Sequence, residues 1–208
     1  MPKHHSLRIH ASAQNLAGLA ALAREGLSVS IAAGRSLRQT LTDDLGLDAE
    51  CGECRIQTIF LDGSPVDDID TDHARPGSAL ALAGALPGVA GICMQRKSRI
   101  GVFREGITHQ SQDLPASQQS LRITLKLFNV IAEECLAQVL SRGVEVRSGR
   151  LAELLDANHE ALAHARLELD GQDISRQDLA NALRGSNAPL RLIAIGNGAE
   201  TPGADGQP

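Results

Sequence analysis

The sequence predicts an α+β fold made of two tandem units, each a small mixed sheet packed on a helix. Three observations support this class: an internal repeat, strand-like runs that alternate with Ala- and Leu-rich helical stretches, and an Asp-Gly turn in each half. The chain has 208 residues, of which 42% are hydrophobic and 22% charged. This composition is typical of a globular protein that can fill an apolar core.

The repeat is visible as a series of short matches. "SLRIHASAQN" at 6–15 aligns with "SLRITLKLFN" at 120–129. Further on, "FLDGSPVDDID" has its counterpart in "ELDGQDISRQD", and "PGSALALAGA" in "RGSNAPLRLIAIG". Because the matches keep the same order along the chain, they indicate a tandem duplication.

Local patterns predict the same element order in both repeats. Apolar residues spaced by three and four predict helices, and β-branched runs predict strands. Ser36 is a candidate N-cap, and each Asp-Gly pair supplies the positive φ that a tight turn needs. In the first repeat we predict strands at Leu7–His10, Leu27–Ile31, Ile56–Leu61 and Ala79–Ala83, with helices at Gln14–Arg24 and after Ser36. In the second we predict strands at Leu121–Leu127, Val144–Val146, Arg166–Leu169 and Leu190–Ile195, with helices at Val130–Leu140 and from Arg150.

These elements imply a first domain at 1–91 and a second, divergent domain at 120–198. Residues 92–119 then form a linker or hairpin with a basic start. Residues 199–208 consist of Gly, Pro, Ala and polar residues and contain no large apolar side chain, so we expect a disordered tail.

Composition also excludes some partners. A formal charge of −5 gives no general attraction to phosphate, and three Phe without Tyr or Trp offer little for base stacking. We therefore expect no nucleic acid. No apolar run reaches the roughly 18 to 20 residues of a membrane span, and the N-terminus lacks the apolar core of a signal peptide. The expected location is the cytoplasm, where cysteines are in general thiols, metal ligands or transient redox partners.

The first repeat resembles a known family. "GRSLRQTL" and "IFLDGSPVDDIDTDHARPGSALALAGALPGVAG" are similar to segments of the ubiquitin-like β-grasp sulfur carriers, namely the small subunit of molybdopterin synthase and its thiamine-pathway relative, the MoaD/ThiS-like family. The resemblance covers Leu7 to Gly91. It implies a β-grasp fold for the first repeat, and the internal match extends this expectation to the second.

The sequence departs from that family where the carriers do their chemistry. Carriers use a free C-terminal Gly-Gly that becomes a thiocarboxylate, whereas here Ala90-Gly91 stands at that place and the chain continues to Pro208. We therefore expect a non-catalytic binding or accessory protein with a protein partner. Pro and Gly would hold the segment extended against that partner. The candidate partner-binding residues are Pro87, Gly88, Val89 and Gly91.

Cysteines suggest an alternative function. Cys51 and Cys54 form a C-x-x-C pair, and Cys93 is a candidate third ligand. The pair is compatible with zinc, with an iron–sulfur cluster that lacks one ligand because Gly46 stands at its place, with a reversible dithiol, or with inert thiols. The alternative is thus a sulfur-carrier or metal-handling protein, whereas the main hypothesis needs no cofactor. Cys135 is predicted to be a small buried apolar residue, and no residues combine as nucleophile, base and orienting group.

Overall fold

The computed structural model describes residues 5–48, 50–96 and 120–196. Ten strands form one mixed sheet, with helices packed on it, which confirms the α+β class. The strands are β1 (His5–Ala11), β2 (Leu27–Ala32), β3 (Thr58–Leu61), β4 (Ser64–Pro65), β5 (Ala79–Ala83), β6 (Ser120–Leu127), β7 (Val144–Arg147), β8 (Arg166–Leu169), β9 (Gln172–Ile174) and β10 (Pro189–Gly196).

The helices are short. They are α1 (Ala13–Leu16), α2 (Ala20–Glu25), α3 (Leu37–Gln39), α4 (Gly88–Met94), α5 (Ile131–Glu134), α6 (Leu136–Ser141), α7 (Ser148–Ala157) and α8 (Arg176–Leu183). A 3₁₀ turn at Ala17–Leu19 joins α1 to α2, and two π-helical turns lie at Thr40–Asp44 and Glu50–Arg55. The two long helices predicted at Gln14–Arg24 and Val130–Leu140 are therefore each divided into shorter pieces.

Strand order shows how the repeats combine. The sheet runs β4-β3-β5-β6-β2-β7-β10-β1-β8-β9. Each half contains four strands of one repeat and the first strand of the other, since β6 lies between β5 and β2, and β1 lies between β10 and β8. In both halves the central parallel pair joins the last strand of one repeat to the first strand of the other.

The two halves are alike in pairing direction but not in strand position. An outer antiparallel hairpin, β3–β4 or β8–β9, lies at each edge. Next to it stands β5 in the first half, but the exchanged strand β1 in the second half. At the centre, β2 and β7 meet through a single register pair, Ser28 with Glu145. The sheet is thus continuous, with its weakest seam between β2 and β7.

Apolar alternation explains why the exchanged strands are stable in the middle of the sheet. In β1 the side chains of Leu7, Ile9 and Ala11 are all buried, while the residues between them are not. This period of two places one face of the strand against the helices. One connected apolar core includes buried side chains from both repeats. The proposed boundary after Gly91 therefore does not separate two self-contained sheets.

The structure confirms several predictions of local structure, namely both Asp-Gly turns, the helix cap at Ser36 and the bounds of two strands. Both Asp-Gly turns adopt positive φ: 53° at Asp62 and Asp170, 83° at Gly63 and 84° at Gly171. Ser36 caps α3, since its hydroxyl accepts a hydrogen bond from the backbone N–H of Gln39 at 3.3 Å. The strands predicted at Ala79–Ala83 and Arg166–Leu169 have the predicted bounds.

Other predictions need correction or fall outside the structure. Residues 88–94 form α4, so the segment predicted to be extended is helical after Pro87. The second repeat contains α8, which the sequence analysis did not predict. Of the predicted linker at 92–119 only 92–96 is described, and the predicted tail at 199–208 lies outside the described residues.

Candidate functional site

A disulfide joins the two repeats. Cys51, in the π-helical turn Glu50–Arg55, is bonded to Cys135, which lies between α5 and α6, with the two Cα atoms 6.8 Å apart. Cys51 is 5% exposed and Cys135 only 1%. The prediction that Cys135 is buried is confirmed. Of the states expected for cytoplasmic cysteines, namely thiol, metal ligand or transient redox partner, neither residue is a free thiol here, because their sulfur atoms are bonded to each other.

Asp48 holds the turn in place beside α6. Its carboxylate accepts a hydrogen bond from the backbone N–H of Cys51 at 2.7 Å and from the side-chain amide of Gln138 at 2.8 Å. The amide oxygen of Gln138 in turn accepts from the backbone N–H of Asp48 at 3.2 Å. The Cys51 N–H, followed by Gln138, lowers the pKa of Asp48 below its ordinary value, because both stabilise the ionised carboxylate.

A second set of polar contacts near the disulfide involves Arg55. The guanidinium of Arg55 donates to Glu134 at 2.6 Å and to Glu50 at 3.0 Å. The hydrogen bond to Glu50, then the charge of Glu134, raises the pKa of Arg55 above its ordinary value. Because Glu134 and Cys135 are adjacent in the chain, this ion pair and the disulfide attach the turn to the same segment.

These residues form a small polar pocket of about 290 Å³. It contains three carboxylates and one guanidinium, so its formal charge is negative. The chemistry open to this site is thiol–disulfide exchange at the Cys51–Cys135 bond. The lining residues are Asp48, Glu50, Cys51, Arg55, Glu134, Cys135 and Gln138.

Of the three predicted metal ligands, the structure describes the side chains of Cys51 and Cys93. Cys51 is bonded to Cys135, and a disulfide sulfur is not a thiolate ligand. Cys93, near the end of α4, is a free, half-buried thiol. The side chain of Cys54 lies outside the described part of the structure. Among the side chains that are described, no three His, Cys, Asp or Glu residues are arranged to hold a metal ion.

Predicted partner-binding residues lie at the start of α4. Pro87 is its N-cap residue with extended backbone angles, and Gly88 has a φ of 80°. Val89 is 74% exposed. Gly91 is buried, and a Cβ added there would collide with the carbonyl of Leu86. The structure thus divides the predicted set: Val89 is available to a partner, whereas Gly91 is needed for packing.

A second exposed apolar pair lies at the exit from β6, the strand next to β5. Phe128 and Val130 are 37% and 51% exposed at the exit from β6, and Ile92 on α4 is 47% exposed. Asn129 holds the two chain exits together, since its side-chain oxygen accepts from the backbone N–H of Gly84 at 2.9 Å. The β6 exit was not among the predicted binding residues, although an apolar residue on each side of Asn129 was a visible signal. We call Val89, Ile92, Phe128 and Val130 the exit surface.

A cavity of about 540 Å³ lies at the seam between β2 and β7. Arg150 at its wall is bound by the carboxylates of Glu25 and Glu153. The hydrogen bond and charge of Glu25 raise the pKa of Arg150 above its ordinary value. Because Glu25 and Arg150 belong to different repeats, this ion pair stabilises the seam. The guanidinium of Arg150 is neutralised by carboxylates of the protein itself.

Comparison with protein-family models, with curated proteins and with solved structures found no match to this chain. Within the described ranges, no helix has the length and apolar character that a membrane crossing requires. The exit surface and the disulfide pocket are the two features of the described residues that bear on function.

Proposed function

We propose that the chain is a non-catalytic, ubiquitin-like binding or accessory protein of two β-grasp units, and that the exit surface binds a protein partner. One observation carries the proposal: four of the five large apolar side chains that the described residues expose lie in two short segments, 89–92 and 128–130, that follow the neighbouring strands β5 and β6. Large apolar side chains grouped at a surface are typical of protein interaction sites. The proposed location is the cytoplasm.

Two further features support the binding role. The last residues of the family resemblance, Ala90 and Gly91, lie within α4 rather than at an extended end. A carrier reaction needs a free, flexible carboxyl at that place, so the helix favours a binding role over sulfur transfer. The common pairing pattern of the two sheet halves supports the tandem β-grasp interpretation.

Aspartate substitutions at the exit surface test this function. In Val89→Asp and Val130→Asp, a charge would have to be buried without a partner when the interface forms. We expect each to weaken partner binding by at least about tenfold, the equivalent of 1.4 kcal/mol. The measurement is quantitative capture by the tagged full chain in its own cell, followed by titration calorimetry with the purified partner.

Ile195→Asp is the matched control, because Ile195 is 36% exposed in β10, in the other half of the sheet. It should retain wild-type affinity. Circular dichroism verifies that all three variants are folded. The proposal is rejected if Val89→Asp and Val130→Asp bind the same partner as tightly as the wild type does.

The second candidate function is sulfur or metal handling by Cys51 and Cys54. The observation in its favour is that Cys51 borders a polar pocket rather than only apolar side chains. A metal role for Cys51 requires prior reduction of its bond to Cys135, because only the thiolate is a ligand. Metal content, discussed below, separates this candidate from the binding role.

A further inference from the structure

We propose that the seam between β2 and β7 carries a binding site for a small oxyanion, either a phosphate or a carboxylate group. The site is a pocket of about 120 Å³, smaller than the cavity described above. Its polar lining consists of three arginines, one carboxylate and two hydroxyls, which we call the seam site: Arg122, Arg142, Arg191, Glu145, Ser28 and Ser30. None of these residues belongs to the exit surface, so the two proposals fail separately.

Strand register brings most of these side chains to one face of the sheet. Ser30 of β2 pairs with Arg122 of β6, and Glu145 of β7 pairs with both Ser28 of β2 and Arg191 of β10. Directly paired residues point to the same face. This is the face away from the apolar core, because the residues that flank them along each strand are buried in that core. The seam site therefore joins side chains of both repeats on the polar face.

Two of the three arginines keep donors for a ligand. Within the described residues, Arg191 forms no ion pair and no side-chain hydrogen bond. Arg142 lies between α6 and β7 and interacts electrostatically with Asp44. That carboxylate is already hydrogen-bonded to Arg35 at 2.9 Å, however. A guanidinium carries five N–H donors in a planar fork that matches phosphate and carboxylate oxygens, so both side chains can bind an oxyanion.

The third arginine is held in position by Glu145. The two terminal nitrogens of Arg122 donate to the two carboxylate oxygens of Glu145, one of them at 2.9 Å. Three guanidiniums less one carboxylate leave the seam site with a formal charge of +2. Because the whole chain has a charge of −5, this positive charge is a local property. A phosphate group, with a charge of about −2 at neutral pH, would neutralise it.

The pocket has the size and the backbone of a site for one anionic group. Its volume lies below the roughly 300 to 1,000 Å³ of pockets that enclose a whole organic ligand. Gly143, with a φ of 83°, also lines it, and a Cβ added there would lie 3.2 Å from Nε of Arg191. Glycine thus lets the guanidinium lie against the chain at the pocket. We expect any larger part of the ligand to remain outside.

Titration of the full chain with inorganic phosphate tests the site. Proton–nitrogen correlation NMR is recorded at fixed pH, with sodium chloride used to keep the ionic strength constant. We expect saturable shifts of the backbone amides of Ser30 and Gly143 and of the side-chain N–H of Arg191. A parallel titration with malonate separates the two ligand sources. Tighter binding of phosphate would assign a phosphate group, and tighter binding of malonate would assign a carboxylate.

Variants identify the residues that bind the anion. Arg191→Gln and Arg142→Gln should each weaken binding by at least about tenfold, because each removes charge-assisted hydrogen bonds. Arg147→Gln is the matched control. Arg147 is exposed in β7, on the same face as Glu145, but it does not line the pocket. This control removes the same charge and should retain wild-type affinity, and the spectra verify that all variants are folded.

Two results would overturn the proposal. One is the absence of saturable shifts with both anions, beyond the shifts that chloride produces. The other is a loss of affinity in Arg147→Gln as large as that in Arg191→Gln, because the anion would then respond to the general charge of the face rather than to the seam site.

Discussion

Ile9→Ala should loosen the strands of the second repeat more than those of its own. Ile9 in β1 pairs with Ala194 in β10 and with Leu167 in β8, and it is fully buried. Removing this side chain should lower the free energy of unfolding by about 2–5 kcal/mol through lost burial and the cavity it leaves. Hydrogen exchange read by mass spectrometry should show the largest loss of protection in β8 and β10.

The matched variant is Ile123→Ala, at the equivalent position of the second repeat. Ile123 in β6 pairs with Val29 in β2 and is 2% exposed. Its largest effect should fall on β2 and β5, which belong to the first repeat. Self-contained repeats would give the opposite pattern, with Ile9→Ala loosening β2, β3 and β5, and that result would contradict the exchanged strands.

Reduction of the Cys51–Cys135 bond should have the second large effect. The bond closes a loop with a sequence separation of 84 residues, so it restricts the unfolded chain strongly. We expect reduction to lower the free energy of unfolding by about 2–4 kcal/mol. Urea unfolding with and without a dithiol reductant measures the difference, with mass spectrometry used to verify the reduction.

The double variant Cys51→Ser with Cys135→Ser is the control for this measurement. It should unfold at the midpoint of the reduced wild type and should not respond to reductant. Cys93→Ser should respond as the wild type does, because Cys93 is free. An unchanged urea midpoint after verified reduction would show that the bond does not contribute to stability.

Local features of this fold could be predicted because neighbouring residues determine them. The turns at Asp62-Gly63 and Asp170-Gly171 need residues that tolerate positive φ, and the cap at Ser36 needs only a hydroxyl and a nearby free N–H. Helix α8 could have been found in the same way. Ser175 caps it, and its buried apolar residues Leu179 and Leu183 are four apart.

Strand partners could not be predicted from the repeat. β1 and β6 both contain the sequence "SLRI", so each presents a similar apolar face and hydrogen-bonding edge. A matched strand can fill the centre of either half, because pairing depends on contacts remote in sequence. The same similarity that predicts a duplication therefore conceals the exchange of strands.

Helix α4 and the Cys51–Cys135 bond could not be predicted from the sequence, for different reasons. Pro87, Gly88 and Gly91 indicated an extended segment, but Pro is compatible with a helix start, and Gly91 allows the close approach of Leu86. Cys135 gave no local signal, because disulfide connectivity is not encoded in cysteine spacing. The C-x-x-C pattern drew attention to Cys54, whereas the fold brings Cys51 to Cys135.

Intact mass and metal content of the protein isolated from its own cell test the binding role most directly. The account predicts a single species that retains both repeats, lacks the hydrogen atoms of the Cys51 and Cys135 thiols, and carries no stoichiometric zinc or iron. A species that ends at Gly91 would restore the sulfur-carrier mechanism, and stoichiometric zinc or iron lost in Cys51→Ser would establish metal handling; either result would contradict the account.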